Sequence, residues 1–434
     1  MSKIWIKDGI FITASSDQPI INGHMVVEND RITFIGENLP EQYANVSFDE
    51  IVNGHNRLFM PGLVNTHTHA AMSLLRGYAD DLALQTWLED YMWPNEAKFT
   101  SDDVYWGTQL SVVEMIRSGT TCFLDMYDHM DRVAEVVTQS GLRASLTRGM
   151  IGFAPPEVQQ MKLNEAKQFA RDWHGQANGR ITTLMAPHAP YTCPPDFISK
   201  VIEIAHELDL PVHTHMSETI REVEENAKQY GERPVKHLLN LGMFSRPSIV
   251  AHAVHLTDEE IQLLAAHDVR VSHNPGSNLK LASGIARVPE LIRAGVKVSL
   301  GTDSSASNNN LDLFEEMRLA ALLHKGTSQD PTVVPALQAI QMATSIGAES
   351  LWLDGVGSLT IGNKADFIAL NIDQPHFYPR TNLISHVVYS GGAQDVTDMW
   401  VNGKCIMRNK EILTLDIERI QSEVQTRFNT LQTR

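Results

Sequence analysis

The sequence predicts an α/β protein, a (β/α)8 barrel inserted into a small β-rich domain assembled from the two chain ends. Three observations predict it. Eight short β-branched or apolar runs alternate with helical stretches through the middle of the chain. Both ends instead carry alternating apolar residues broken by Asp-Gly, Asn-Gly and Asn-Asp pairs, the texture of hairpins. Reactive side chains, mostly histidines, recur where the central runs stop, and barrels of this kind place their chemistry at the C-terminal ends of their strands.

Residues 1–58 read as the first part of the β domain, with IWIKDGIFIT, HMVVENDRITFIGE and EIVNGHNRLF in period two and no helical period. Residues 355–434 return to the same texture in GSLTIGNKADFIALNID and VTDMWVNGKCIMRNKEIL, turn at Asn402-Gly403, and finish in a helix. Two like ends flanking something different are most simply one domain interrupted by an insertion; two independent end domains are the alternative. The insertion, residues 59–354, holds strand candidates at 62–66, 120–126, 144–150, 181–186, 211–214, 248–252, 269–272 and 296–301. Helical stretches between them include 101–118, 196–208, 221–230 and 258–267, with Asp196 and Asp258 read as N-caps.

The strand ends carry the candidate site. The first run ends in His67 and His69, which point to one face because strand residues two apart do so. Taken alone, such a pair is more often a solvated face than a ligand pair. Arg148 ends the third run, His188 the fourth, His213 and His215 the fifth with Glu218 just beyond, His252 and His255 the sixth, His273 the seventh and Asp303 the eighth. Catalytic zinc takes three or four N/O ligands and keeps one position open. His67, His69, His215 and Asp303 supply that number from strands one, five and eight, which converge at a barrel mouth. A metal held there lowers the pKa of water toward about 7, and Glu218 and Asp303 are carboxylates placed to move its protons.

Composition narrows the partners. In 434 residues, 35 basic side chains face 52 acidic ones for a net charge of −17, which disfavours nucleic acid or an anionic membrane and favours a small molecule. The three cysteines, Cys122, Cys193 and Cys405, form no Cys-x-x-Cys, so neither a disulfide framework nor a thiolate zinc site is expected, and a reducing, cytoplasmic location is. No apolar run is long enough to span a bilayer. Whether the chain forms a homo-oligomer stays open.

The segments PGLVNTHTH, HTHMSE, AHAVHL, SHNPGSNLKLASG and SLGTDSSASNNNLDLFEEM, with GxxxxIGNKADFIAL behind them, resemble the amidohydrolase superfamily. Within it they are most similar to the 5-methylthioadenosine/S-adenosylhomocysteine deaminase family. The resemblance spans nearly the whole chain and implies a TIM-like barrel with a composite β-sandwich from both termini. It implies one zinc ion on His67, His69, His215 and Asp303, with Glu218 taking a proton from water and protonating ring N1. It further implies His252 beside the attacking oxygen or the departing amine, and substrate contacts from Glu96, Arg148 and His188 alongside Glu218 and Asp303.

Each contact has a plainer rival: a helix N-terminal carboxylate for Glu96, a surface ion pair for Arg148, a stiff Pro-flanked loop for His188. His213 and His273 read as packing or supporting residues, and His255 and His206 as lying outside the site. The segment Ala-Pro-His-Ala-Pro after strand four has no bridging lysine or glutamate, which implies a mononuclear site. The absence of a P-C-x-x-C pair excludes the cytidine-deaminase type of zinc site.

The implied reaction is hydrolytic removal of the adenine 6-amino group from methylthioadenosine or S-adenosylhomocysteine, leaving an inosine-type product. A carboxylate tail asks for a guanidinium, and Arg148 is the placed candidate, with Gln160 where a second arginine would help. An apolar tail asks for a pocket, and Leu82, Leu84, Trp87 and Met92 are available either to line one or to pack their own loop. Guanine deamination, triazine amino- or chlorohydrolysis, and a non-catalytic zinc-binding barrel are the competing readings.

Overall fold

The structure, a computed structural model, describes residues 2–434. Eight parallel segments form the barrel: β1 Leu63–Thr68, β2 Thr120–Tyr127, β3 Arg143–Met150, β4 in two pieces (Ile181–Thr183 and Ala186–Pro187), β5 Val212–Met216, β6 Ser248–His252, β7 Arg270–His273 and β8 Val298–Leu300. They are buried almost without interruption, as strands covered on both faces must be. Ladders run continuously from β1 to β4 and from β5 to β8.

The two seams between these half-barrels close differently. Between β4 and β5, the Met185 N–H donates to Pro211 O at 3.0 Å and the His213 N–H to Met185 O at 2.9 Å. Between β8 and β1 the closure is largely made by side chains, because β8 is only three residues long. Asn65 Nδ2 donates to Thr302 Oγ1 at 2.7 Å, the Thr302 N–H returns to Asn65 Oδ1 at 3.0 Å, and the Thr66 hydroxyl reaches Leu300 O at 2.9 Å. Gly301 permits this approach: a Cβ there would stand 2.9 Å from His67 Cβ and 2.5 Å from Asn274 Oδ1. One backbone bond, Asp303 N–H to His67 O at 3.0 Å, then fixes the last candidate ligand beside the first.

Two expected N-caps are displaced. Thr257, not Asp258, caps the helix Asp258–Ala266: its hydroxyl accepts the Glu260 N–H while the Glu260 carboxylate accepts the Thr257 N–H, a reciprocal capping box. The helix Pro195–Glu207 begins at a proline, whose missing N–H needs no cap, so Asp196 lies inside the first turn and acts only on the dipole. Thr219 caps Ile220–Tyr230 and Thr100 caps Ser101–Arg117.

Both chain ends enter one nine-stranded sheet. Arg57–Pro61 lies parallel to Lys3–Ile12 on one side and antiparallel to Phe367–Asn371 on the other. Period two then sorts the side chains. Phe367 and Ala369 join Phe11, Phe59 and Trp400 in a core of the sheet's own, whereas Ile368 and Leu370 join Leu58 and Met60 in the core shared with the barrel. A buried ion pair, Arg143 Nε to Asp366 Oδ2 at 2.8 Å, pins the start of β3 to this sheet. The C-terminal helix Ile417–Leu431 lies against Ser101–Arg117, where Arg427 meets Asp103 at 3.1 Å. Among the described residues no helix is long and apolar enough to cross a membrane.

Candidate metal centre and active site

The imidazoles at the mouth are oriented by what their outer nitrogens bind. His213 is the second residue of β5 and its Nδ1 faces the Ile249 carbonyl at 3.0 Å, an acceptor only, so that nitrogen carries the proton. Its Nε2 is then an acceptor, and His67 Nδ1 donates to it at 2.9 Å. His67 Nε2 is left with a lone pair, fully buried and without a hydrogen-bond partner. His69 Nδ1 donates to Met126 O at 2.6 Å and His215 Nδ1 to His188 O at 2.7 Å, so their Nε2 atoms also carry lone pairs. Those two Nε2 atoms stand 3.3 Å apart with no proton between them. Three converging lone pairs in a buried site are tolerable only around a cation, and imidazole outer nitrogens tied to carbonyls or other rings are what metal-binding histidines show.

Asp303 completes the set, with Oδ1 3.5 Å from His67 Nε2 and 3.4 Å from His69 Nε2. Its backbone is left-handed (φ 60°), a conformation aspartate tolerates better than most residues. Oδ2 accepts the Ser277 and Ser307 hydroxyls at 2.7 and 2.8 Å, which leaves Oδ1 for the centre. Burial alone would raise its carboxyl, but the His67 contact and the surrounding imidazoles outweigh that and hold it well below the usual carboxylate range. Burial keeps His67 and His215 far below the ordinary imidazole value, hence neutral, the form that binds metal.

His67, His69 and Asp303 form one compact donor group; His67, His215 and His252 form another sharing His67. His252 differs from the rest. Its Nδ1 donates to Asn278 Oδ1 at 2.8 Å, and its Nε2 lies 3.7 Å from Glu218 Oε2. Burial opposes its charge, yet Glu218 and Asp303 prevail and raise its pKa. A ring biased toward the imidazolium is a poor ligand and a good proton or charge partner. Glu218 is buried, its carboxyl raised by desolvation, with Oε1 accepting the Ser283 hydroxyl at 3.0 Å.

His69, His215, Glu218, His252 and Asp303 line the floor of a cavity of about 530 Å³, with Met72, Leu84, Trp87 and Leu281 on its apolar wall. Met92 is fully buried beneath that wall, and Leu82 packs with the loop. His188 lines the cavity, neutral because burial lowers its pKa to about 3, and its Nδ1 meets Thr192 Oγ1 at 2.9 Å. Helical residues run without a break from Leu84 to Glu96, so Glu96 stands at the C-terminal end of that run, where the dipole does not favour a carboxylate. It faces the cavity, raised by burial, and one oxygen accepts the Tyr127 hydroxyl at 2.5 Å. Arg148 both lines the cavity and ion-pairs with Asp128 at 3.0 Å and Glu165 at 3.2 Å.

Gln160 instead bonds Asn164 on the surface, and the second cation in the cavity is Lys162, whose ammonium donates to Ile151 O at 3.0 Å. Sequence reasoning passed over Lys162, Tyr127, Asn278, Ser277, Ser283 and Ser307; the last four follow strands seven and eight, but nothing in the sequence sets them apart from their neighbours there. His273 is buried against His324 (Nε2 to Nε2 3.1 Å), His255 holds the Ser283 carbonyl at 2.7 Å, and His206 bonds Ser245 away from the mouth.

The role of His213 is testable. His213→Phe is expected to keep the fold, since the ring space stays filled, and to weaken metal affinity about 10- to 100-fold, the usual cost of losing a partner behind a ligand. A metal titration of the purified variant measures it; unchanged affinity would mean His67 needs no such partner.

Comparison with known proteins bears on this centre. The profile of the amidohydrolase family matches residues 58–406. A protein of Dictyoglomus turgidum called 5-methylthioadenosine/S-adenosylhomocysteine deaminase is 50% identical over 406 residues, 94% of each chain. One of the same name from Thermoanaerobacter pseudethanolicus is 45% identical over 98% of each. Among solved structures, an adenosine deaminase from Xanthomonas campestris with bound zinc superposes with a TM-score of 0.92 at 35% identity, covering 100% of this chain and 99% of the other. A triazine hydrolase variant shares the fold at a TM-score of 0.91 but only 22% identity, over 99% of this chain and 100% of that one.

Proposed function

The chain belongs to the amidohydrolase family, and from that membership we propose that it is a zinc-dependent hydrolase removing the 6-amino group from adenine nucleosides, 5'-methylthioadenosine and S-adenosylhomocysteine first among them. The observation that carries this reading is the convergence of three Nε2 lone pairs and one Asp303 oxygen beside a buried carboxyl, Glu218, that no cation neutralises by direct salt bridge except His252. Zinc, present in the related adenosine deaminase, fits His67, His69, His215 and Asp303, and when bound there it supplies Lewis-acid activation of water at neutral pH.

The chain's own groups do the rest. Glu218, raised by desolvation, exchanges protons between the water and ring N1, and the Ser283 hydroxyl keeps its carboxyl turned to the floor. His252, biased toward its charged form, stabilises the negative charge that develops on oxygen at C6. Asp303, held at Oδ2 by the Ser277 and Ser307 hydroxyls, passes a proton from the water to the departing amine. Water and the C6–NH2 group thus become C6=O and ammonia. Glu96, one oxygen of which Tyr127 occupies, offers the other to ribose hydroxyls, and neutral His188 meets the ring or the sugar. The apolar wall around Trp87 takes a thioether and keeps bulk water out.

The test is ammonia release across adenosine, methylthioadenosine, S-adenosylhomocysteine, guanine and melamine, with metal content measured on the same preparation. Turnover confined to guanine or melamine would overturn the assignment in favour of another branch.

The amino-acid tail gives a finer expectation. Arg148→Met should lower kcat/KM for S-adenosylhomocysteine roughly ten- to a hundredfold, the value of a charge-assisted hydrogen bond to the tail carboxylate. Methylthioadenosine, which has no carboxylate, should lose much less. Because Asp128 and Glu165 already share this guanidinium, the effect belongs at the lower end of that range, with Lys162 supplying residual attraction. Equal losses for both substrates would assign Arg148 to the ribose, the ring or the fold.

A further inference from the structure

Glu222 is a buried acid, 2% exposed, that neither lines the cavity nor belongs to the candidate metal-binding groups. It lies in the first turn of Ile220–Tyr230, where a glutamate would ordinarily fold back onto the N-cap N–H. Here it reaches further upstream. Oε1 accepts the Ser217 N–H and Oε2 the Glu218 N–H, each at 2.8 Å, while Thr219 Oγ1 accepts the Glu222 N–H at 3.1 Å. The backbone of Glu218 is therefore clamped at its amide, and its side chain is held separately at the Ser283 hydroxyl.

Ser217 extends the clamp. It stands in the left-handed region (φ 52°), and its carbonyl accepts the N–H groups of both Val254 and His255 at 3.0 Å. Those residues follow His252 and Ala253, which also have positive φ (73° and 47°). Three non-glycine residues in so restricted a conformation need surroundings that over-determine them. Among the described residues, Glu222 is the one side chain bonded to the main chain of both Ser217 and Glu218.

We propose that Glu222 is a positioning residue for the deamination: its carboxylate sets the reach of Glu218 toward the reacting ring and, through Ser217, locks the segment that carries His252. The inference rests on Glu218 being the proton carrier. Hydrogen bonds from two consecutive amides to one carboxyl give the fixed placement proton transfer requires, and a displacement of about 1 Å at a reacting group costs on the order of a hundredfold.

Glu222→Gln keeps the side-chain volume and one acceptor oxygen but turns an N–H donor against a main-chain N–H. It should lower kcat about ten- to a hundredfold while KM and bound metal stay within about twofold. In a Glu218→Gln background it should cost nothing more, because residues that act as a unit are not additive. An unchanged kcat, a change seen only in KM or metal content, or losses that multiply in the double variant would each overturn the proposal. If Glu222→Gln does not fold, Glu222→Asp, which keeps the charge but is one methylene short of spanning both amides, should give the same kcat-selective loss. A crystal structure of the variant reads placement without turnover: the Glu218 carboxylate should leave Ser283, and an unmoved carboxylate overturns the positioning claim. A wild-type protein inert toward every purine nucleoside, with Glu218 displaced in the variant, would instead fail the proposed reaction and leave the placement standing.

Discussion

Glu218→Gln is expected to retain its full complement of metal and lose turnover by about 10² to 10⁴-fold, the usual range for a general acid-base group. The substitution deletes none of the proposed ligands, His67, His69, His215 and Asp303, and the Ser283 hydroxyl still finds an acceptor in the amide oxygen. What disappears is a carboxyl that burial has already moved toward the protonated form, and so toward giving its proton to a ring nitrogen. KM should change little, since the amide retains the shape and hydrogen-bonding reach of the acid. Steady-state kinetics with metal analysis of the same sample decides it; near wild-type kcat would pass the role to Asp303 or His252.

Metal removal should have the larger effect. Dialysis against a strong chelator is expected to abolish turnover, and readdition of one divalent ion per chain to restore it. Without a cation, the pKa of water returns from about 7 to its far higher bulk value, a loss on the order of 10⁸ in available hydroxide that no buried carboxylate replaces. His215→Ala should do the same irreversibly, because it removes one of the two Nε2 atoms that stand 3.3 Å apart. Elemental analysis showing two ions per chain at full activity would sink the single-ion centre, as would full activity in the chelated protein.

The histidines of this centre were legible because the strand period makes His67 and His69 neighbours on one face, whatever else the fold does. The alternation of strands with helices likewise located all eight barrel segments to within a few residues. Where β8 shrinks to three residues the sequence carries no mark, because side chains from elsewhere take over the bonding; the break in β4 after Thr183 is equally unmarked, because main-chain bonds of Leu184 and Met185 carry the pairing across it. The displaced caps have a local reason: Thr257 with Glu260 outcompetes Asp258, since two reciprocal bonds satisfy two orphan N–H groups where a lone aspartate satisfies one. Asn278, Ser277, Ser283 and Ser307 stayed silent for a different reason. Serine and asparagine are ordinary residues in loops and in short helices such as Pro275–Lys280, and only the tertiary fold brings these four onto His252, Asp303 and Glu218.

The strand Arg57–Pro61 has one further consequence, which concerns synthesis. Its neighbour on one side, Lys3–Ile12, emerges before it, but the neighbour on the other, Phe367–Asn371, is made roughly three hundred residues later. At about 5 to 20 residues per second, the edge bearing Leu58, Phe59 and Met60 stays open for ~15 to 60 s while the whole barrel is being translated. An apolar strand with free N–H and C=O groups is a template for pairing with the wrong chain over that interval. The nascent protein therefore depends on rapid barrel closure or on chaperone cover, and substitutions that slow the barrel should appear first as aggregation during expression, before any loss of stability in the finished fold.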